Sequence, residues 1–267
     1  MNSTRQTQWN GTLLVLALPL LGLIVIPLVA LLLGTTPDQL CRSALEESTL
    51  QAIRLSLITS VISTLLVVVG GTPVAVLLAN PQFRWRHLID RLLQLIIVLP
   101  PAVAGIALLL AFGRRGLIGH WLADLGIAVV FTPVAVVMAQ CFVSAPYFIK
   151  AATVGLAGVD PELKLAASLE GASPWQIFQR ITLPLAWRGF AAGVALTWTR
   201  ALGEFGATIV FAGNFPGRTQ TMPLEVYVSF ESRFEQAVTL SVILLAVAIA
   251  IMFLVHVTTT FQDDRAL

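Results

Sequence analysis

Residues 160–184 read DPELKLAASLEGASPWQIFQRITLP and separate two strongly apolar stretches, 127–149 and 189–212. Their punctuation is that of two short helices. Asp160 followed by Pro161 has the form of an N-cap and a first helical position, and Gly171 that of a C-terminal stop. Ser173-Pro174-Trp175-Gln176 has the spacing of a capping box, in which hydroxyl and amide each take the other's backbone N–H. The second helix sets Trp175, Phe178 and Ile181 at three-residue spacing, an apolar ridge. Leu183-Pro184 is expected to end it before the next apolar stretch. A double helix joined at a glycine, outside the apolar stretches, therefore interrupts a chain that is otherwise oily.

That oiliness sets the fold class. Hydrophobic residues make up 57% of the 267 and charged residues only 11%, against about 25% charged in a soluble domain. So few ionised groups cannot coat a globule, and the apolar excess must face lipid. Helices of roughly 20 apolar residues cross a bilayer. Six stretches qualify, at 13–34, 53–79, 93–112, 127–149, 189–212 and 236–260. The first is too long for a signal-peptide core and lacks a small-residue cleavage site, so it reads as a span. Pro19, Pro27, Pro73 and Pro133 interrupt several spans, as neighbouring helices in a bundle tolerate. The expectation is an all-α integral membrane protein, residues 1–267 forming a single domain of six transmembrane helices with the 160–184 segment between spans four and five.

Orientation follows from lysine and arginine bias. With the N-terminus in the cytoplasm, the inner segments hold Arg5, Arg84, Arg86, Arg91, Lys150, Lys164, Arg180, Arg188 and Arg265. The outer loops hold Arg42, Arg114, Arg115, Arg218 and Arg233, with Arg54 near a helix end. The skew places both termini and the double helix in the cytoplasm. An exposed apolar ridge there is a candidate docking surface; packing of the same helix on its own bundle is the simpler alternative.

Several function classes find no support. A net charge of +2 gives no basic face for nucleic acid. Cys41 and Cys141 make neither a disulfide framework nor a metal site. His87, His120 and His256 are scattered, with no zinc-binding spacing. No phosphate-binding loop of the Gly-x-x-x-x-Gly-Lys-Ser/Thr form is present, so this chain is not an ATPase. A membrane enzyme would need a catalytic cluster, and a secondary transporter tends to show paired inverted repeats; neither pattern is visible, and in a free-standing channel the double helix would have no role.

Two further stretches carry chemistry. In Arg200-Ala201-Leu202-Gly203-Glu204, the two charges lie one helical turn apart within the fifth apolar stretch. Charges at such depth are costly and should face the bundle and pair. They are read either as a clamp between helices or as a charged group beside an anion path. Beyond that span, Arg218, Thr219, Gln220 and Thr221 offer a cation, hydroxyls and an amide where an oxyanion would arrive, or else belong to an ordinary turn.

Ala166-Ala167, Gly171, Ile181 and Leu183-Pro184 resemble the EAA signature of ABC-importer permeases at every spacing, with Leu165 standing where that family has an acidic residue. The run from Arg200 to Thr208, with Thr219-Gln220-Thr221 and Pro223-Leu224 downstream, resembles the molybdate/tungstate permease family. Sulfate/thiosulfate permeases share its first part, and a sulfate/thiosulfate importer permease is the alternative reading. The resemblance implies a six-helix permease of the bacterial inner membrane, working as a homodimer. It also implies two ATP-binding subunits engaged by Ala166, Ala167, Gly171, Trp175, Phe178, Ile181, Leu183 and Pro184, and a periplasmic or extracellular molybdate-binding protein. On this reading ATP is bound by the partner and no cofactor by this chain.

Overall fold

The structure, a computed structural model, describes residues 3–263 and the side chains of residues 13–254. Arg265 lies outside the described residues, and Arg5 and His256 outside the described side chains. The first helix, α1 (Ser3–Leu33), is followed by a short α2 (Pro37–Ala44) and the long α3 (Glu47–Ala79). Next come α4 (Arg86–Val98), α5 (Pro101–Phe112), α6 (Gly119–Asp124) and α7 (Pro133–Ala157). The segment singled out above forms α8 (Pro161–Leu169) and α9 (Pro174–Ile177). The chain closes with α10 (Leu183–Leu202), α11 (Gly206–Phe211), α12 (Met222–Ser232) and α13 (Phe234–Asp263).

Among the described residues, four helical segments are long and apolar enough to cross a membrane: Leu13–Leu33, Glu47–Ala79, Pro133–Ala157 and Phe234–Leu254. The expected third span is not one rod. It is α4 and α5, bent by 116° at Leu99–Pro100. Leu99 precedes a proline and adopts the extended backbone that prolyl Cδ imposes on its neighbour. The expected fifth span is also broken: α10 stops at Leu202 and α11 restarts at Gly206. Pro133 does not interrupt a span but starts α7, capped by Thr132; the proline inside that helix is Pro146.

The centre of the bundle is α7, packed on α3 and α10. Small residues allow the closest crossing. A Cβ on Gly189 would lie 2.6 Å from the Cα of Gly155, so α10 and α7 touch backbone to backbone. One apolar cluster, around Leu78, Phe148, Leu156 and Phe190, fills the bundle towards α8. A second, around Leu108, Val136, Ala139 and Phe211, fills the opposite end. A polar seam runs between α3 and its neighbours. Ser56, Thr59, Ser60, Ser63 and Thr64 are buried, Trp198 donates its indole N–H to Ser60 Oγ at 3.0 Å, and Met222 N–H bonds Ser56 Oγ at 2.7 Å. Hydroxyls of this kind join helices where no water competes. By contrast α1 is barely covered, held at its end by a contact of Thr35 with Thr239 at 3.1 Å.

If the Gly155–Gly189 contact fixes the bundle, Gly189→Val should destabilise it by about 1–3 kcal/mol through overpacking. Melting in detergent reads this, with Gly70→Ala, inside α3 and meeting open space, expected to hold or raise the midpoint.

Candidate functional site

The double helix is built as its punctuation predicts. Asp160 Oδ1 accepts the N–H of Glu162 at 2.9 Å. At the other end of α8, Gly171 adopts φ +84°, a left-handed conformation that glycine reaches without Cβ strain. The N–H of Ala172 then bonds Ala167 O at 3.0 Å and that of Gly171 bonds Ser168 O at 3.1 Å, which closes the C-terminal carbonyls. Ser173 N–H donates to Gln176 Oε1 at 2.8 Å and Gln176 N–H to Ser173 Oγ at 3.3 Å, completing the capping box.

Two expectations for this segment change. Leu183-Pro184 does not end the helix. Residues Phe178–Thr182 form a π turn, in which Leu183 N–H reaches back five residues to Phe178 O, and the chain runs on into α10. A proline ring collides with the carbonyl four residues earlier, and the wider turn relieves that collision. The ridge of Trp175, Phe178 and Ile181 is not uniformly exposed either. Trp175 stands out, 63% exposed and stacked on Phe178 at 5.7 Å, whereas Phe178 and Ile181 are half-buried and Phe178 packs on the core cluster. The apolar side chains left open are Leu163, Leu165 and Leu169 of α8, with Leu169 81% exposed. Ala166 is exposed, Ala167 and Leu183 are half-buried, and Pro184 is exposed.

The charged pair closes across the break between α10 and α11. Arg200 Nη1 lies 2.7 Å from Glu204 Oε2, and Glu204 Oε1 accepts the N–H of Ala207 at 2.8 Å. Glu204 is 1% exposed and Arg200 a quarter exposed. This clamp is local, holding the last turn of α10 to the first of α11, rather than joining separate spans. The break in turn seats on the bend of α4 and α5: a Cβ on Gly206 would meet Pro101 Cβ at 2.7 Å, and one on Gly105 would meet Ala207 O at 2.8 Å.

The stretch after α11 is less open than its composition suggests. Arg218 is exposed, but Thr219, Gln220 and Thr221 are buried. Thr219 Oγ1 accepts the N–H of Phe215 at 3.1 Å, and Phe215 O receives the N–H groups of Arg218, Thr219 and Gln220. The Thr219 side chain thus staples the loop, with the backbone N–H groups of Arg218 and Gln220 closing it on Phe215 O. Of the four residues, only Arg218 is exposed in this chain.

Sequence reading missed three polar links. Thr36 and Gln39 form a capping box that starts α2, a signal present in Thr-Pro-Asp-Gln. Glu46 accepts from Arg233 at 3.2 Å and from Gln236 at 2.8 Å, tying α3 to α13. Lys150 of α7 forms an ion pair with Asp90 of α4. Lys150 is the sole charge in α7 and Asp90 the sole carboxylate between Glu47 and Asp124, so that pair was open to deduction.

Solved structures share this arrangement. The fold matches a bacterial alginate ABC transporter with a TM-score of 0.76 at 16% identity, covering 96% of each chain. It also matches the MetNI methionine ABC transporter at 0.63 and 17%, over 80% of this chain and 95% of that one. The fold is that of an ABC-importer permease. A family model described as "Binding-protein-dependent transport system inner membrane component" matches residues 71–265, and the chain belongs to that family. It is 41% identical over 243 residues to the molybdenum transport system permease protein ModB of Mycobacterium tuberculosis, spanning 90% of this chain and 91% of that one. Identity to ModB of Escherichia coli is 38% over 205 residues, 76% of this chain and 90% of the relative.

The burial asymmetry of the charged pair gives a test. Arg200→Met strands a fully buried carboxylate and should cost about 3 kcal/mol. Glu204→Gln keeps an acceptor for Ala207 N–H and strands only a partly exposed guanidinium, so its melting midpoint in detergent should fall less.

Proposed function

We propose that this chain is the permease through which an ABC importer takes up molybdate, moved by ATP that separate subunits hydrolyse. The carrying observation is mechanical: a doubly capped helix pair projects from the bundle, exposes apolar side chains, and is continuous with α10 through the π turn. A rigid projection of this kind can receive a push, and α7 and α10 on either side can pass it into the bundle. Relatives named as molybdenum permeases over nine-tenths of the chain support the choice of ion.

On this reading two copies enclose the path. Two ATPase subunits bind the α8–α9 projection on the cytoplasmic side, and a molybdate-binding protein delivers its anion to the opposite side, where Arg218 is exposed. Both termini lie in the cytoplasm. Leu165, Leu169 and Trp175 enter a cleft of the ATPase, with Phe178 anchoring the projection to the core. The Arg200–Glu204 pair keeps the span together at its break; an uncompensated carboxylate there would repel an anion.

Uptake of labelled molybdate into vesicles, with the native binding protein present, tests the ion. Unlabelled tungstate should compete and sulfate should not; uptake of labelled sulfate with no uptake of labelled molybdate would reassign the substrate. For the projection, Leu169→Asp should weaken ATPase copurification and uptake about tenfold, as expected for a charge placed in a desolvated anchor, without shifting the melting midpoint of the permease. Undiminished uptake would remove the docking role.

A further inference from the structure

The ion pair between α7 and α4 has no part in the account above, yet it sits where force would have to pass. Lys150 lies in the last third of α7, the helix that leads directly into α8. Asp90 lies in the first turns of α4, the helix that leads into the 116° bend. That bend is the point on which the broken span α10–α11 rests, through Pro101 and Gly206. One ion pair thus links the helix carrying the projection to the helix that sets the position of both breaks.

Apolar packing gives α4 little other grip. Leu93 is its one buried residue, with Ile89 partly buried beside it, and the outward side chains Leu88, Leu92, Leu95, Ile97 and Val98 are exposed. The polar grip is made on both carboxylate oxygens. Asp90 Oδ1 takes the Lys150 ammonium, and Oδ2 accepts from Gln94 Nε2 at 2.7 Å, one turn further along α4. Gln94 therefore fixes the rotamer that aims the carboxylate at α7. Lys150 is the sole charge on α7, so its pairing with Asp90 is the ionic link between α7 and α4. The side chains are 32% and 38% exposed, so the pair adds little to stability. Its value lies in adding a directional link to the narrow apolar contact that Leu93 and Ile89 make with the cluster around Phe148.

We propose that the Asp90–Lys150 pair, aimed by Gln94, is the tether by which movement of α7 is passed to α4 and on to the bend at Pro100–Pro101. Asp90 and Lys150 are positioning residues: they touch neither the anion nor nucleotide. The proposal rests on the reading of α8–α9 as the driven element.

The test uses the complete importer, with its ATPase subunits and binding protein, in liposomes. Asp90→Asn should lower molybdate imported per ATP hydrolysed about tenfold, within the range of typical coupling energies, while the ATPase subunits still copurify and the melting midpoint holds. The exchange of Asp90→Lys with Lys150→Asp restores the pair in reverse and should recover most of the lost coupling. A purely structural contact would instead lower melting and transport together. Unchanged coupling in Asp90→Asn, or an exchange that recovers nothing, overturns the tether. Leu169→Asp measured in parallel separates the two readings. Defective transport there beside normal Asp90→Asn removes the tether alone, and normal transport there removes the driven element itself.

Discussion

Every backbone N–H and C=O inside a membrane must find its partner within the protein, because hydrocarbon offers none. The architecture answers that demand at its two weakest points together. The spans built from α4–α5 and α10–α11 both break, and each break frees peptide groups that an unbroken helix would have paired. Glu204 supplies the missing acceptor to Ala207, and Arg200 pairs with its other carboxylate oxygen. The two breaks then cover one another, Gly206 against Pro101 and Gly105 against Ala207. Glycine is required at both contacts, since a side chain would force the interrupted segments apart and open the groups they shield.

This arrangement leaves α7 as the stiff member. It is unbroken from Pro133 to Ala157, packs on α3 and α10 over most of its length, and meets α10 with no side chain between them at Gly155 and Gly189. A displacement entering at α8 has a rigid route through α7 and another through the π turn into α10. Both lead towards the same pair of breaks. Deformable points within a firmly packed bundle are where a small push produces a change of shape.

Local signals were legible in the sequence, and distant ones were legible only in part. Asp160, Gly171, Ser173 and Gln176 act through bonds spanning a few residues, so residue type and spacing determine them. The apolar stretches were visible because lipid selects on composition. The bend at Leu99 was written in Pro100-Pro101 but was masked by the hydropathy on either side. Pro184 was read as a stop because the rule for proline assumes α geometry, and the π turn evades it. Burial of Thr219, Gln220 and Thr221 was hidden, since polar composition suggests solvent, whereas here the Thr219 hydroxyl serves the loop's own backbone. The Arg200–Glu204 pair was found, but its locality was not, because a spacing of four does not say that a helix ends between the partners.

The π turn has a consequence for how such a protein can change over evolutionary time. It accommodates one residue beyond what an α turn would hold, and a residue of α-helix corresponds to about 100° of rotation. Losing one residue between Phe178 and Thr182 would turn Trp175 around the axis of α10 by that amount, and Phe178, packed on the core cluster, and the junction of α7 with α8 would have to refit. The compass bearing of Trp175 is therefore written in chain length as well as in the chemistry on either side.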